Sequence, residues 1–579
     1  MNRFRKAGIL IVSAALMGLL VTSAVAQEQP APGEGGPIIL SNLGTDIATL
    51  NPIIVQDGSS NAIAARLYPP LVGIDVETFS YAPGARGSIA ADWTISEDGL
   101  TYTFTLRDDW QWSDGTPITS ADVKYGFDAI ASGETNSALT YILDDVAGIE
   151  APDAQTVVIT LNSPSCAALS NIAALPVVPA HQFSALFPTF AAMNDADITA
   201  VGGVSAGQWK FSNFRPGEQV TLLADQNYPD AVVGQVTPEG FIFKNVADQT
   251  ISFEQFLAGQ FTWDSAPESR ENEIRALDAE GYQVHEYPAG SLRFIALNSA
   301  DPANPVNGLD EAGEALDQGH HPILGDVRVR QALMYALDFA QLNEGALGGE
   351  GVQLAAHILP SSWAFDPDLP VYPFDLELAM SLLDEAGFVD DDSDPTTPRV
   401  ATEDALYAAP GTPLAFTLST NSGNEASEAI GVLLTSQWAA VGFDLTYEAI
   451  DFNVLVENLT GQTYDATMLF WSFSFPDSPN DATANFLPTN DVIGAGFNVT
   501  SYNNPAWTAL MEEANTVTDC DQAARAELYQ QANTLLREDV PWIWLNTSNV
   551  VIAAQPNVVN FDPRGQLVGW NESSWIIPR

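Results

Sequence analysis

The chain is short of basic residues. Its 579 residues include 20 Lys and Arg against 74 Asp and Glu, a formal net charge of −54 at pH 7. Charged residues make up only 16% of the sequence, against roughly 25% in ordinary soluble proteins, so the imbalance is mainly a lack of bases. Such a surface repels phosphate, which argues against nucleic acid as a partner. It is compatible with a cationic ligand, although adaptation to an extracellular milieu is the preferred reading. Cysteine is scarce too. Cys166 and Cys520 could pair in an oxidising compartment, but they lie far apart in sequence. Two separate buried thiols, packing as small apolar groups, are the preferred expectation. There are five histidines, His181, His285, His320, His321 and His357, and no H-E-x-x-H, so a zinc hydrolase lacks its usual donor pattern. No run after residue 21 is apolar for long enough to span a bilayer.

The N-terminal residues carry a compartment signal. Arg3, Arg5 and Lys6 precede an apolar run over 7–21, and Ala24-Val25-Ala26 stands before Gln27. This is the layout of an export signal with an A-x-A cleavage site, and no cysteine follows the run to indicate a lipoprotein. Residues 1–26 are read as a signal peptide. The mature protein is expected to be secreted, in a periplasm or on the outer face of the cell membrane. Residues 27–37, rich in Gly, Pro, Glu and Gln, read as a flexible tether. The length that follows calls for two or three lobes rather than one core.

Periodicity places several elements. Residues 101–106 alternate Tyr102, Phe104 and Leu106 with threonines, the pattern of a half-buried strand, and Asp98-Gly99 turns them back on residues 91–95. Thr119 and Asp122 form a capping-box-like start to a helix reaching Ile130. Residues 326–349, DVRVRQALMYALDFAQLNEGALGG, place Val329, Ala332, Leu333, Ala336, Leu337 and Ala340 at helical spacing. They are expected to form one helix, capped by Asp326, paired from Asp326 to Arg330, and ended by Gly348 and Gly349. Residues 375–387 read as a second capped amphipathic helix. Residues 414–418, 424–440 and 441–445 read as strand, helix and strand, which implies a right-handed crossover within an α/β lobe.

Three motifs invite a chemical reading. Gly203-Val204-Ser205-Ala206-Gly207 matches G-x-S-x-G, but a nucleophile elbow needs a strand before it and a helix after it. Strand-like residues 219–224 follow instead, so Ser205 is not expected to be catalytic. His320 and His321 are adjacent, with no third ligand at a recognised spacing, and read as solvated. Asp390, Asp392 and Asp394 occupy the first three ligand positions of a calcium loop. Pro395 and Ala401 stand where Gly and Glu are needed, so a solvated acidic loop is preferred and calcium is a weak candidate.

Longer passages carry a resemblance. DGLTYTFTLRDDWQWSDGTPITSADVKYGFD is similar to the signature D-G-x-x-Y-T-F-x-L-R-x-x-x-x-F-x-D-G-x-P-x-T-A-x-D-V of the family 5 solute-binding proteins, the oligopeptide-, dipeptide- and nickel-binding receptors of ABC importers. DVRVRQALMYALD resembles that family's D-x-R-V-R-Q-A-L-x-x-A-x-D. The passage from Tyr502-Asn503-Asn504-Pro505 to Asp539 and Pro541 resembles its C-terminal pattern. The resemblance implies an α/β, two-lobed periplasmic-binding-protein type II (cluster C) fold with an extra subdomain on the first lobe. Its boundaries here would be 38–66, 202–290 and 501–579 for lobe I, 67–201 for the subdomain, and 291–500 for lobe II.

The same resemblance implies a monomeric receptor without cofactor, which delivers an oligopeptide-like ligand to an ABC permease and is not an enzyme. An oligosaccharide or other non-peptide solute is the alternative, and a secreted hydrolase the least favoured class. Ligand contacts would fall on Gln56, Asp57 and Gly58, on Asn298, and on Phe470, Trp471, Ser474 and Asp477. Peptide-binding members resemble G-W-x-x-D, with Asp three residues after Trp to pair with the peptide's α-ammonium. Here Ser474 holds that place and Phe470 replaces the Gly. A hydroxyl does not supply the charge-assisted part of that contact.

Overall fold

The computed structural model describes residues 33, 35–43, 46–229, 236–390, 397–473 and 478–579. The expected signal peptide, most of the tether, Ser474, Asp477, Asp392 and Asp394 lie outside these. No described helix is long and apolar enough to cross a membrane.

Two sheets make the first lobe. One has four strands in the order Ile38–Leu43, Gly240–Val246, Gln219–Ala224 and Trp209–Arg215, with the first two parallel. The other has three, and Asn549–Ala554 runs between Trp263–Ser265 and Gln283–Pro288. The chain's C-terminal part therefore completes a sheet begun near its middle. Within the 67–201 span, Ala90–Ile95, Thr101–Leu106, Thr156–Leu161 and Val146–Asp153 form a separate antiparallel sheet. Beside it, the Thr119 amide donates to Asp122 Oδ2 at 2.7 Å at the start of the helix Ser120–Ala131.

The second lobe is built on six strands, ordered Val352–Gln353, Trp542–Thr547, Ser291–Leu297, Ala466–Ser472, Ala415–Asn421 and Asp444–Ile450. Ala415–Asn421 and Asp444–Ile450 are parallel and joined by the helix Glu425–Ala439, the expected crossover unit. Trp542–Thr547 pairs with Ser291–Leu297. The return to the first lobe expected at residue 501 therefore comes only after Thr547. Every residue of Trp542–Thr547 is buried, and a strand apolar on both sides belongs inside a covered sheet.

Two local expectations also need correction. The single helix over 326–349 is two, Val327–Tyr335 and Phe339–Ala346. Asp338 breaks it by accepting from the Gln341 amide at 3.1 Å, a cap bond that competes with continuous helix. Asp326 caps the first helix through the Arg328 amide, and its ion pair is with Arg328 rather than Arg330. Arg330 is buried instead, and its guanidinium donates to the carbonyls of Leu324, Gly325, Asp539 and Val540. The cysteines are paired: Cys166 and Cys520 form a disulfide with Cα atoms 5.5 Å apart. It ties the subdomain to the helical region after Pro505–Asn515, where the Cys166 amide also donates to the Asn515 carbonyl at 2.8 Å. Folding brings together two positions whose sequence separation, 354 residues, hides their proximity.

Candidate functional site

The chain passes between lobes twice, from Gln283–Pro288 into Ser291–Leu297 and from Trp542–Thr547 into Asn549–Ala554. Phe470 and Trp471 sit near the end of Ala466–Ser472 close to these crossings, with Trp471 opposite Leu292 and Phe470 opposite Arg293. Phe470 is 41% exposed and lies under the Arg293 guanidinium, 4.5 Å from ring centroid to Cζ. Arg293 is fully buried and bonds Glu268 of the first lobe as well as Asn546 at 2.9 Å and Ser427 at 3.2 Å. A small pocket of about 140 Å³ lies here, bordered by Glu268, Ser291, Phe470 and Asn546. The lone arginine within the apolar strand Ser291–Leu297 is the sequence signal for this inter-lobe ion pair.

Trp471 is half-buried. Its ring centroid lies 5.2 Å from that of Phe497 and 6.2 Å from that of Trp542. Around Trp542 gather Phe294, stacked at 3.8 Å, Phe486 at 4.9 Å and His357 at 5.7 Å. His357 also meets Phe473 at 4.8 Å and Phe486 at 5.3 Å. Burial pushes its imidazole down to about 3, because a charged ring loses its solvation there. A larger cavity of about 850 Å³ opens between the two units tied by the disulfide. Asp145, Pro164 and Ser165 of the subdomain line it, with Thr483, Leu487 and Glu512 of the second lobe facing them.

The remaining expected contacts fall elsewhere. Asp57 caps the helix Gly58–Leu67 by accepting from the Ser60 amide at 2.7 Å, and Gln56 Nε2 donates to the Asn136 carbonyl of the subdomain at 2.9 Å. Gly58 is exposed. No hydrogen bond or ring contact joins this loop to Phe470 or Trp471 among the described residues. Asn298 is wholly buried. Its amide donates to the carbonyls of Gln462 and Tyr464 at 3.1 and 3.0 Å and accepts from the Ala300 amide at 3.1 Å, so it braces the lobe and presents no free group.

The family model described as bacterial extracellular solute-binding proteins, family 5 Middle, matches residues 85–492. The chain belongs to this family. Among its relatives, the oligopeptide-binding protein AppA of Bacillus subtilis is 22% identical over 554 residues, covering 95% of this chain and 93% of that one. The structure of AppA in complex with a nonapeptide superposes with a TM-score of 0.80 over 95% of this chain and all of that one, at 21% identity. The probable D,D-dipeptide-binding periplasmic protein DdpA of Escherichia coli is 24% identical over 520 residues, 89% of each chain. NikZ of Campylobacter jejuni, in complex with Ni(L-His), gives a TM-score of 0.75 at 21% identity, over 93% of this chain and 99% of that one. The fold is the two-lobed α/β fold of these binding proteins.

The local structure gives Ser205 no nucleophile elbow. Ser205 is buried, and its hydroxyl donates to the Trp209 carbonyl at 3.1 Å. The strand Trp209–Arg215 follows it, where an elbow would need a helix. A Cβ on Gly207 would stand 2.0 Å from the Arg66 carbonyl oxygen, so this glycine serves close packing. His321 corrects the solvated reading of the His pair. It is buried, its Nδ1 accepts from the amides of Ile323 and Leu324 at 3.0 and 2.9 Å, and its Nε2 faces Asp465 at 3.0 Å. His320 stacks on Tyr407 with ring centroids 3.9 Å apart. Among the described residues no three His, Cys, Asp or Glu side chains come close enough to hold a metal ion. Asp390, the one described member of the calcium candidate, is exposed.

Proposed function

We propose that this protein is a secreted receptor, acting as a monomer and performing no chemistry. It captures an oligopeptide-like ligand between its lobes and delivers it to the membrane permease of an ABC importer. The observation that carries this reading is the cavity of about 850 Å³ walled by both the subdomain and the second lobe, within the size range of enclosed ligand sites. The peptide class is supported by AppA and DdpA, whose names state peptide binding. Trp471 forms part of the aromatic wall. With Ser474 where peptide-binding members carry Asp, capture does not depend on a free α-ammonium. A neutral oligosaccharide is the second reading, favoured by the half-buried rings of Trp471 and Phe473, since aromatic faces also receive sugars.

The test is thermal unfolding of ligand-stripped, refolded protein with a tryptic digest of casein, malto-oligosaccharides, or nickel–histidine. Binding to the native state raises the melting temperature by linkage. A rise with the digest, kept when its peptides are N-acetylated, is the expected result. A rise with sugars alone, or turnover of any probe, overturns the peptide-receptor reading.

A further inference from the structure

We infer that the aromatic face of the second-lobe sheet holds a buried subsite for a neutral hydrogen-bonding group of the ligand, an amide or a hydroxyl, made by His357, Asn485, Trp471 and Trp542. The inference rests on the receptor reading above and adds to it the chemistry of one contact.

Three observations converge on this place. His357 is 1% exposed and Asn485 0%, yet neither ring nitrogen of the one nor either amide atom of the other has a hydrogen-bond partner among the described residues. The indole nitrogens of Trp471 and Trp542 are in the same condition. Each such buried group costs about 1–3 kcal/mol unless something satisfies it, and native proteins keep few of them without a reason. The second observation is proximity. The His357 ring touches Trp542, Phe473 and Phe486, Trp542 touches Trp471, and Asn485 precedes Phe486 on the short helix Ala482–Phe486. The third is neighbourhood: Thr483 of that helix and Leu487 just after it line the cavity between the subdomain and the second lobe, two residues to either side of Asn485. Asn298, in the same lobe, shows the ordinary alternative, a buried amide with its donors and acceptor all used.

The donor set fixes the ligand chemistry. Two indoles only donate, an asparagine amide both donates and accepts, and a neutral imidazole offers one donor and one acceptor. None of the four carries a charge with which to balance a desolvated ammonium or carboxylate, whose burial unpaired is far more costly than that of an amide. The aromatic rings leave the floor apolar. A peptide amide or a sugar hydroxyl satisfies this set.

The test loads ligand-stripped full-length mature protein with the casein digest, or with malto-oligosaccharides as a separate arm. Bound material is identified by mass spectrometry, while the imidazole ¹⁵N signals of histidine-labelled protein are followed by NMR. His357→Phe keeps the ring packing and assigns the His357 signal. Trp471→Phe deletes one N–H, keeps an aromatic ring, and stands in should the first variant fold poorly. The expected result is a shift of the His357 signal on loading. The wild type should also prefer Asn, Gln, Ser or Thr at one peptide position, a preference lost in either variant with about tenfold weaker binding of those peptides. A shift in the sugar arm alone assigns the same subsite to hydroxyls. Bound probe with an unmoved His357 signal, as an enclosed water would give, or unchanged selectivity in both variants, overturns the subsite. Failure of the wild type to bind either probe overturns the receptor reading itself.

Discussion

On one face of the second-lobe sheet, Val329, Leu333, Ile430 and Leu434 from two helices meet Ile295, Met468 and Ile543; on the other, Trp471, Trp542 and Trp544 meet Phe486 and Trp507. The first face is mainly aliphatic, with Phe416, Phe443 and Trp438 among its rings, and nearly all of its buried side-chain polar atoms are used. Arg330 feeds four carbonyls, and the Trp438 indole donates to the Leu333 carbonyl at 3.1 Å. Among the described residues only the Tyr447 hydroxyl on that side lacks a partner. The second face is aromatic and, among the described residues, leaves the indoles of Trp471, Trp507, Trp542 and Trp544 without partners, together with His357 and Asn485. A face that serves only to hold a lobe together gains by satisfying every group. A face that receives a ligand keeps groups in reserve. On the proposed reading, one sheet divides scaffold from recognition.

Four variants probe this division, in descending order of expected effect. Arg330→Met should cost about 3–5 kcal/mol in urea unfolding, because several buried carbonyls lose their donor, while ligand affinity of the folded fraction stays the same. A large affinity loss would show that the two faces are not separable. Replacing Cys166 and Cys520 by Ser removes the tie between the subdomain and the helices covering the aromatic face, and should cost about 2–4 kcal/mol. Ligand release, followed by stopped flow, should quicken in that variant; an unaltered rate would place the tie outside ligand capture.

Trp471→Ala should cost only about 1–2 kcal/mol, since the side chain is half-buried, yet weaken binding at least about tenfold. Unchanged affinity would remove the residue from the ligand wall. Asp264, in the first lobe, is a control away from both faces. Burial raises its carboxyl to about 6 against hydrogen bonds from Ser252, the Ser265 amide and Ser41. The folded state therefore holds a proton that the unfolded chain has released between ordinary carboxylate pH and about 6, and stability falls as pH rises through that window. Asp264→Asn should flatten that fall and add about 1–2 kcal/mol at pH 7, with no change in binding. A pH slope that persists in the variant would assign the effect elsewhere, to Glu271, raised to about 7 by burial, or to Asp491, raised to about 6.

The family and the α/β class were legible because they are written in long ordered passages, and the crossover through Glu425–Ala439 because strand and helix periods differ. The capping box at Thr119 and Asp122 was legible for the same local reason. Apart from one local choice at Asp338, what could not be read was set by contacts between distant segments. The break at Asp338 depends on one side chain choosing an amide over solvent. The burial of Arg330 depends on carbonyls more than two hundred residues away. The return to the first lobe after Thr547 depends on which sheet the Trp542–Thr547 strand joins. Of the proposed ligand wall, Trp471 was named through its motif, whereas His357 and Asn485 sit in unremarkable local sequence and become notable only when their missing partners among the described residues are seen.

The most direct measurement is hydrogen–deuterium exchange of ligand-stripped protein with and without bound casein-digest peptides. New protection is expected in the segments holding His357, Trp471 and Ala482–Phe486, with the helix Val327–Tyr335 unchanged. Protection concentrated in Val327–Tyr335 and Glu425–Ala439, with none around His357 and Ala482–Phe486, would contradict the division between a scaffold face and a ligand face.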